Sequence, residues 1–175
     1  RGADVTLVHD GPEVHYADTV AVESAAEMLA AVEDAAPDAD ALISAAAISD
    51  YTVETAATKL RSGEPRTLDL EPTPKLLDSI RSAHPELPIV GFKAETSGED
   101  AAMVDRAAAL GDRVDCAFVV ANDASVMGEA DTRALLVGPE ASTPADCETV
   151  AGPKRAVGDR VARRLAAHLG ASSTA

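Results

Sequence analysis

Five segments of the 175-residue chain carry residue types that could do chemistry. The first is Ser44-Ala45-Ala46-Ala47-Ile48-Ser49-Asp50-Tyr51. Small side chains at the end of an apolar run let a ligand approach the backbone, and Asp50 is placed to bind a metal ion or a hydroxyl. As plain structure, Asp50 would only cap a turn. The second is Lys59, the one lysine in a long polar stretch over residues 49–65. A cation on a loop beside a cleft clamps phosphate; on an open surface it is merely solvated. The chain has four lysines, so each is less casual than usual. The third is Glu71-Pro72-Thr73-Pro74-Lys75, which reads as a helix entry with Thr73 as N-cap and Pro74 at N1. A helix N-terminus offers free N–H groups to phosphate, though it is as easily a capped surface helix. The fourth, Gly91-Phe92-Lys93-Ala94-Glu95-Thr96, sets an aromatic, a cation and an acid at a strand end. Phe92 covers a base there or fills core, and pattern alone favours core. The fifth, Ala121-Asn122-Asp123, reads as a tight turn with Asx bonding.

Other chemistry is poorly supported. His9, His15, His84 and His168 are scattered, and none has metal-ligand spacing with a cysteine, which argues against zinc. Cys116 reads as core, and Cys147 has no base beside it. There is no Walker-type loop and no Gly-x-Gly-x-x-Gly.

The elements that must position these segments follow from the apolar pattern. Short runs at 5–8, 19–22, 41–47, 67–70, 89–92, 117–121, 134–137 and 148–150 read as strands. The run 41–47 is continuous, as in a strand buried on both faces. Ser24, with Glu27 three residues on, caps a helix whose core face is Met28, Leu29 and Val32. Further helices are expected at 75–83, at 97–110 closing on Gly111, and at 154–169 opened by Pro153 and stopped by Gly170. Strands alternating with helices imply an α/β fold with a mainly parallel sheet. Ligands then sit at the strands' carboxyl ends, after Ala47, Phe92 and Ala121. One domain is expected over residues 1–170, with 171–175 a loose tail.

Composition narrows the function classes. Hydrophobic residues make up 46% of the chain and the formal charge is −15. That balance argues against nucleic acid and anionic lipid as partners, which need a basic footprint. No apolar run is long enough to span a membrane, and two cysteines in a chain this long make no disulfide scaffold. An acidic, alanine-rich surface with four lysines against eleven arginines suits concentrated salt, where screening removes self-repulsion. A halophilic source is expected; an alanine-rich genome without salt adaptation is the other reading. A cytoplasmic protein is expected, since no signal peptide is visible, although the chain begins at Arg1 rather than Met. Read from residues alone, this is an α/β domain suited to a phosphorylated small molecule.

Together and in order, the segments resemble one family. Ala45-Ala46-Ala47-Ile48-Ser49-Asp50-Tyr51, then Lys59, Thr73-Pro74, Gly91-Phe92-Lys93-Ala94-Glu95 and Val120-Ala121-Asn122-Asp123 are similar to the phosphopantothenate–cysteine ligases of coenzyme A biosynthesis, in their CTP-dependent bacterial and archaeal form. The resemblance runs from Gly2-Ala3-Asp4-Val5-Thr6-Leu7-Val8 to the last helix. It implies a Rossmann-like three-layer domain, a divalent cation such as Mg2+, and the substrates CTP, 4′-phosphopantothenate and cysteine. By resemblance, Ala46 and Phe92 border the nucleotide. Thr73, Pro74, Lys75 and Leu76 form its helix-end contact, and Asp50 faces the nucleotide and its metal. Lys59 is the catalytic loop clamp, Arg106 (or Arg113) supplies a helix cation, and Ala47 and Asn122 face the other substrate. A homodimer is implied, as is fusion to an FMN-dependent decarboxylase domain that this chain does not include.

The sequence departs from the family pattern in three places. Thr73 stands where Asn is usual, Lys75 where an acid is usual, and arginines replace lysines in the helix after the Phe92 segment. The family's leading strand, Gly-rich turn and substrate-binding Asn and Arg stretch are not in this sequence. The chain by itself is therefore expected to bind nucleotide partly and to be inactive. Two other classes remain: a Rossmann-like NAD(P)- or nucleotide-binding module of a different enzyme, and a non-catalytic subunit-contact domain.

Overall fold

The structure, a computed structural model, describes residues 2–12, 14–54, 56–59, 61–63, 65–95, 99–123 and 130–172. Arg1, Thr96, Ser97 and residues 124–129, on which sequence readings fell, lie outside them.

The strands are β1 (Thr6–His9), β2 (Asp18–Ala21), β3 (Leu42–Ser44), β4 (Tyr51–Thr52), β5 (Glu71–Pro72), β6 (Ile89–Glu95), β7 (Phe118–Asp123), β8 (Asp131–Val137) and β9 (Glu148–Pro153). The helices are α1 (Ala25–Ala35), α2 (Leu76–Ala83), α3 (Asp100–Val114) and α4 (Lys154–Ser172). The main sheet runs β3-β6-β7-β8-β9, with β1-β2 and β4-β5 as separate pairs. Side chains alternate across β7. Val119 and Ala121 join the core cluster that includes residues of α1, α2 and α3, while Phe118 and Val120 join the one that includes Val157, Val161 and Leu165 of α4. Helices on both faces of one sheet make three layers, an α/β fold as expected.

The sheet is mixed. β3, β6 and β7 are parallel, as are β1 and β2, but β8 and β9 run antiparallel. Only seven residues separate β7 from β8, too few for the crossover a parallel strand needs.

Other expectations shift for identifiable reasons. The run 41–47 yields only β3, at the edge of the main sheet, with Ile43 45% exposed. Ile43 is in register with Val90 on the α4 face, but α4 packs on β8 and β9 at the other edge and leaves it uncovered. Residues 67–70 form no strand; β5 forms just after them, where Tyr51 and Thr52 supply a partner. α3 runs past Gly111 to Val114 and ends at Asp115 in the left-handed region (φ 54°), a conformation aspartate tolerates. α4 runs through Gly170 to Ser172, so Ala171 is helical.

The cap at Ser24 is as read: its hydroxyl accepts from the Glu27 N–H at 3.2 Å. The cap at Thr73 is not. The helix-flanking position falls to Lys75, and Thr73, 8% exposed, donates its hydroxyl to the Ser49 carbonyl. Its N–H also donates to the Asp50 carbonyl at 3.0 Å. Thr73 thus ties the entry of α2 to the turn carrying Asp50.

Candidate functional site

Gly91, at the middle of β6, sets the site's depth. A Cβ there would lie 3.2 Å from Leu110 Cδ2 and 3.4 Å from Cys116 Sγ, so its absence lets α3 sit close on the sheet. Strand alternation then puts Lys93 and Glu95 on the same face as Gly91, beneath α3. Arg106 and Arg113, seven residues apart, share one face of α3.

These groups enclose an open cleft of about 480 Å3 at the carboxyl ends of β3 and β6. Ser44, Ala46, Ile48 and Asp50 form one wall, and Lys75, Leu76 and Leu77 of the α2 entry form a second. Phe92 and Lys93 make the floor; Arg106, Ala109, Leu110 and Arg113 close it from α3. The structure thus brings together Ala46, Asp50, Lys75, Leu76, Phe92 and Arg106. Phe92 is half-buried and packs against the α4-side cluster while bordering the cleft.

Five sequence-predicted residues do not line it. Lys59 is exposed in the stretch between β4 and β5. Ala47 is exposed one residue from the wall, and Pro74 lies beside it at the α2 entry. Thr73 is buried as a tie. Asn122 is half-buried at the end of β7, in register with Ala94 of β6.

The cleft concentrates cations in a chain of charge −15. Lys75, Lys93, Arg106 and Arg113 all reach it, each against an acid. Lys75 pairs with Asp50 and Arg113 with Asp78; Arg106 pairs with Glu95, whose other oxygen lies 3.4 Å from Lys93 Nζ. Sequence reading singled out Lys93 and Glu95 as a cation and an acid at a strand end but gave neither a particular role. Their alternation with Gly91 on β6 was the available signal.

A hydrogen bond from Lys75, then its charge, holds the Asp50 carboxyl below the ordinary aspartate value, with Lys93 adding to the effect. Arg133, donating two bonds of 2.6 and 2.7 Å, does the same for Asp100, and Thr143 does so for Asp146. A lowered value means that what these contacts add to stability is in place above about pH 4 and is lost as pH falls through the lowered values.

A smaller cavity, about 210 Å3, lies under the C-terminal half of α3 against Cys116, Val119 and Gly138. It holds Asp112 and Asp115 but no cation, and burial pushes the Cys116 thiol up, away from nucleophilic use.

Comparison with known proteins is consistent across sequence and fold. The pattern describing the DNA/pantothenate metabolism flavoprotein C-terminal domain matches residues 1–169. The chain is 36% identical over 143 residues to the coenzyme A biosynthesis bifunctional protein CoaBC of Thermococcus kodakarensis, covering 79% of this chain and 36% of that protein. It is 31% identical over 153 residues to the CoaBC protein of Methanocaldococcus jannaschii, covering 86% and 37%. The chain thus spans little more than a third of the length of these relatives. Among solved structures, the DNA/pantothenate metabolism flavoprotein from Streptococcus pneumoniae aligns with TM-score 0.79 at 21% identity, over 95% of this chain and 82% of that one. The C-terminal domain of a CoaBC protein aligns at 0.72 and 23%, over 97% and 76%. A Cab2 mutant in complex with phosphopantothenate-cysteine aligns at 0.67 and 21%, over 90% and 55%. At these identities the structures speak to the fold alone.

Proposed function

The chain belongs to the DNA/pantothenate metabolism flavoprotein C-terminal domain family, and from that membership we propose that it is the ligase part of an enzyme joining 4′-phosphopantothenate to L-cysteine with CTP, in coenzyme A biosynthesis. The observation that carries the reading is the cleft. Four segments distant in sequence place Ala46, Asp50, Lys75, Phe92 and Arg106 around one opening. The alternative of an NAD(P)-binding redox module is not favoured by the family match.

The chemistry has two steps. The carboxylate of 4′-phosphopantothenate attacks the α-phosphate of CTP, pyrophosphate leaves, and an acyl-cytidylate remains. The cysteine amine then attacks the acyl carbon, CMP leaves, and the amide forms. Lys75, Lys93, Arg106 and Arg113 supply a positive field where phosphate charge must be held and then released. Phe92 and Ala46 border the nucleotide. Thr73, Pro74 and Leu76 form the nucleotide's helix-end contact with Lys75, Thr73 also tying the α2 entry to the Asp50 turn, and Asn122 and Ala47 face the second substrate. Lys59 acts from the stretch between β4 and β5.

A divalent cation fits in one mode only. Among the described residues no group of three or more His, Cys, Asp or Glu could hold a metal ion. Asp50 is nonetheless an exposed carboxylate kept ionised by its neighbours. Mg2+ is commonly held by one or two carboxylates plus substrate phosphates, so Asp50 would hold a metal that arrives with CTP. Bound there, it would neutralise phosphate charge. Lys75, Asp50's present partner, would then turn to the phosphates.

Asp50→Asn is expected to abolish metal-dependent CTP binding, since a neutral amide is a poorer hard-cation ligand. An exposed ion pair adds little to stability, so Tm should stay within about 3 °C. CTP titration with and without Mg2+, beside a melt, reads both. Unchanged Mg2+ dependence would remove Asp50 from the site.

The reading includes a cytoplasmic homodimer. No helix among the described residues is long and apolar enough to cross a membrane. Tyr51, Val53, Leu68 and Leu70 are exposed around β4 and β5, an apolar surface suited to a second copy. The acidic, lysine-poor surface fits a salt-loving source.

The decisive assay follows CTP-dependent pyrophosphate release by the complete protein. Release is expected with 4′-phosphopantothenate present, and CMP release only when cysteine is added. No release with both substrates and Mg2+ would overturn the ligase reading.

A further inference from the structure

Glu95 is the least accessible acid facing the cleft's cations. Its side chain is 12% exposed, against 69% for Asp50 and 45% for Asp78. Its two oxygens hold two different cations. Oε1 lies 3.4 Å from Lys93 Nζ, two residues back on the same face of β6; Oε2 accepts from Arg106 Nη1, which comes down from α3. Lys93 and Arg106 are themselves half-exposed, at 42% and 51%, with their outer faces on the cleft. Lys93 also lowers the Asp50 carboxyl value slightly through its charge, so it acts on both acids.

A largely covered carboxylate beside a phosphate-binding cleft is electrostatically unhelpful, because it repels the ligand. Its value must come from what it holds. Without it, two like charges drawn to one carboxylate would repel each other and splay apart.

Building on the ligase reading, we propose that Glu95 is a positioning residue, clamping Lys93 and Arg106 side by side so that both cations meet the phosphate chain of the nucleotide. With both oxygens engaged and little surface, it touches neither substrate and acts only through the two cations. Glutamine could accept from one cation but would turn its NH2 toward the other. Aspartate keeps the charge but is one methylene too short to span strand and helix.

The test uses the complete protein as wild type, Glu95→Gln and Glu95→Asp. Positioning errors of about 1 Å cost about 100-fold in rate. Glu95→Gln is therefore expected to lower kcat about 100-fold, with the KM for CTP within about threefold because a repelling charge is also gone. Glu95→Asp should fall between the two. Tm should move little in either. Arginine-labelled NMR gives a readout independent of turnover. The paired Arg106 Nη–H signals, assigned by their loss in Arg106→Lys, should shift with inorganic triphosphate in the wild type and be lost in Glu95→Gln.

Retained Arg106 signals in Glu95→Gln, or an unchanged kcat, would overturn the proposal. So would Tm, kcat and KM all collapsing together, which would mean plain structural damage. Paired signals that respond to triphosphate in a wild type that does not turn over CTP would instead overturn the ligase reading and leave the clamp standing.

Discussion

Lys59→Ala is expected to slow turnover by about 10²–10³ while leaving CTP affinity within a few-fold. Lys59 does not line the cleft; it is exposed in the excursion between β4 and β5. The β4–β5 pairing, Tyr51 with Pro72 and Thr52 with Glu71, closes the base of that excursion. Its described residues beyond that base form no helix or strand and expose Val53, Leu68 and Leu70, so within a single chain few buried contacts hold them in place. A lysine that must travel contributes little to ground-state affinity, because ordering its segment offsets the contact. On the proposed ligase reading, its charge would count when the carboxylate of 4′-phosphopantothenate attacks the α-phosphate and negative charge builds there. Lys59→Arg should restore activity only in part, since a guanidinium is wider and a poorer point charge. Turnover and CTP titration of both variants in the complete protein decide it. Equal losses in rate and affinity would make Lys59 a plain binding residue, and no loss in either would make it a surface lysine.

Arg81→Ala is expected to cost the largest share of stability of any single polar change among the described residues. Arg81, in α2, uses all five of its N–H donors on backbone carbonyls. Nε donates to Val114 at 2.7 Å; Nη1 donates to His84 at 3.2 Å and to Pro85; Nη2 donates to Leu87 at 2.8 Å and Asp115 at 3.0 Å. One side chain thus joins the end of α2, the turn before β6 and the turn after α3, the two turns that launch the parallel strands under the cleft. Three of these bonds are part-buried and two are exposed, so water can replace some of them, and each bond lost to a charged donor costs at most about 1.5–3 kcal/mol. A net loss of about 3–4 kcal/mol follows, and hence roughly 10 °C in Tm. Arg81→Lys should recover only part, since an ammonium has three donors and no fork. CTP affinity, measured well below the lowered Tm, should be unchanged, because Arg81 is not at the cleft. A melt within about 2 °C of wild type would refute this reading.

The sequence alone drew the α/β order and placed the segments of Ala46, Asp50 and Phe92, which line the cleft, at or just past the ends of apolar strand runs. Ser24 with Glu27, and the β-branched runs at 5–8, 89–92 and 117–121, were legible because a cap bond and strand alternation act within about four residues. The same locality explains what was illegible. Thr73 has the composition of an N-cap, yet its hydroxyl finds the Ser49 carbonyl 24 residues away, once β4 and β5 bring the two turns together. Gly111 has the composition of a helix stop. α3 nonetheless continues to Val114, a buried member of the core cluster, and Asp115 takes the left-handed turn. Asp50 and Lys75 are 25 residues apart, Glu95 and Arg106 eleven, Arg81 and Asp115 34. Such pairs depend on which strand neighbours which and on how closely α3 sits over Gly91, and tertiary packing settles both. Residue types and their order were thus set by the chain itself. The partner of each charge was decided only when the sheet assembled, because a side chain's reach is a few ångströms and its partner is chosen by the fold.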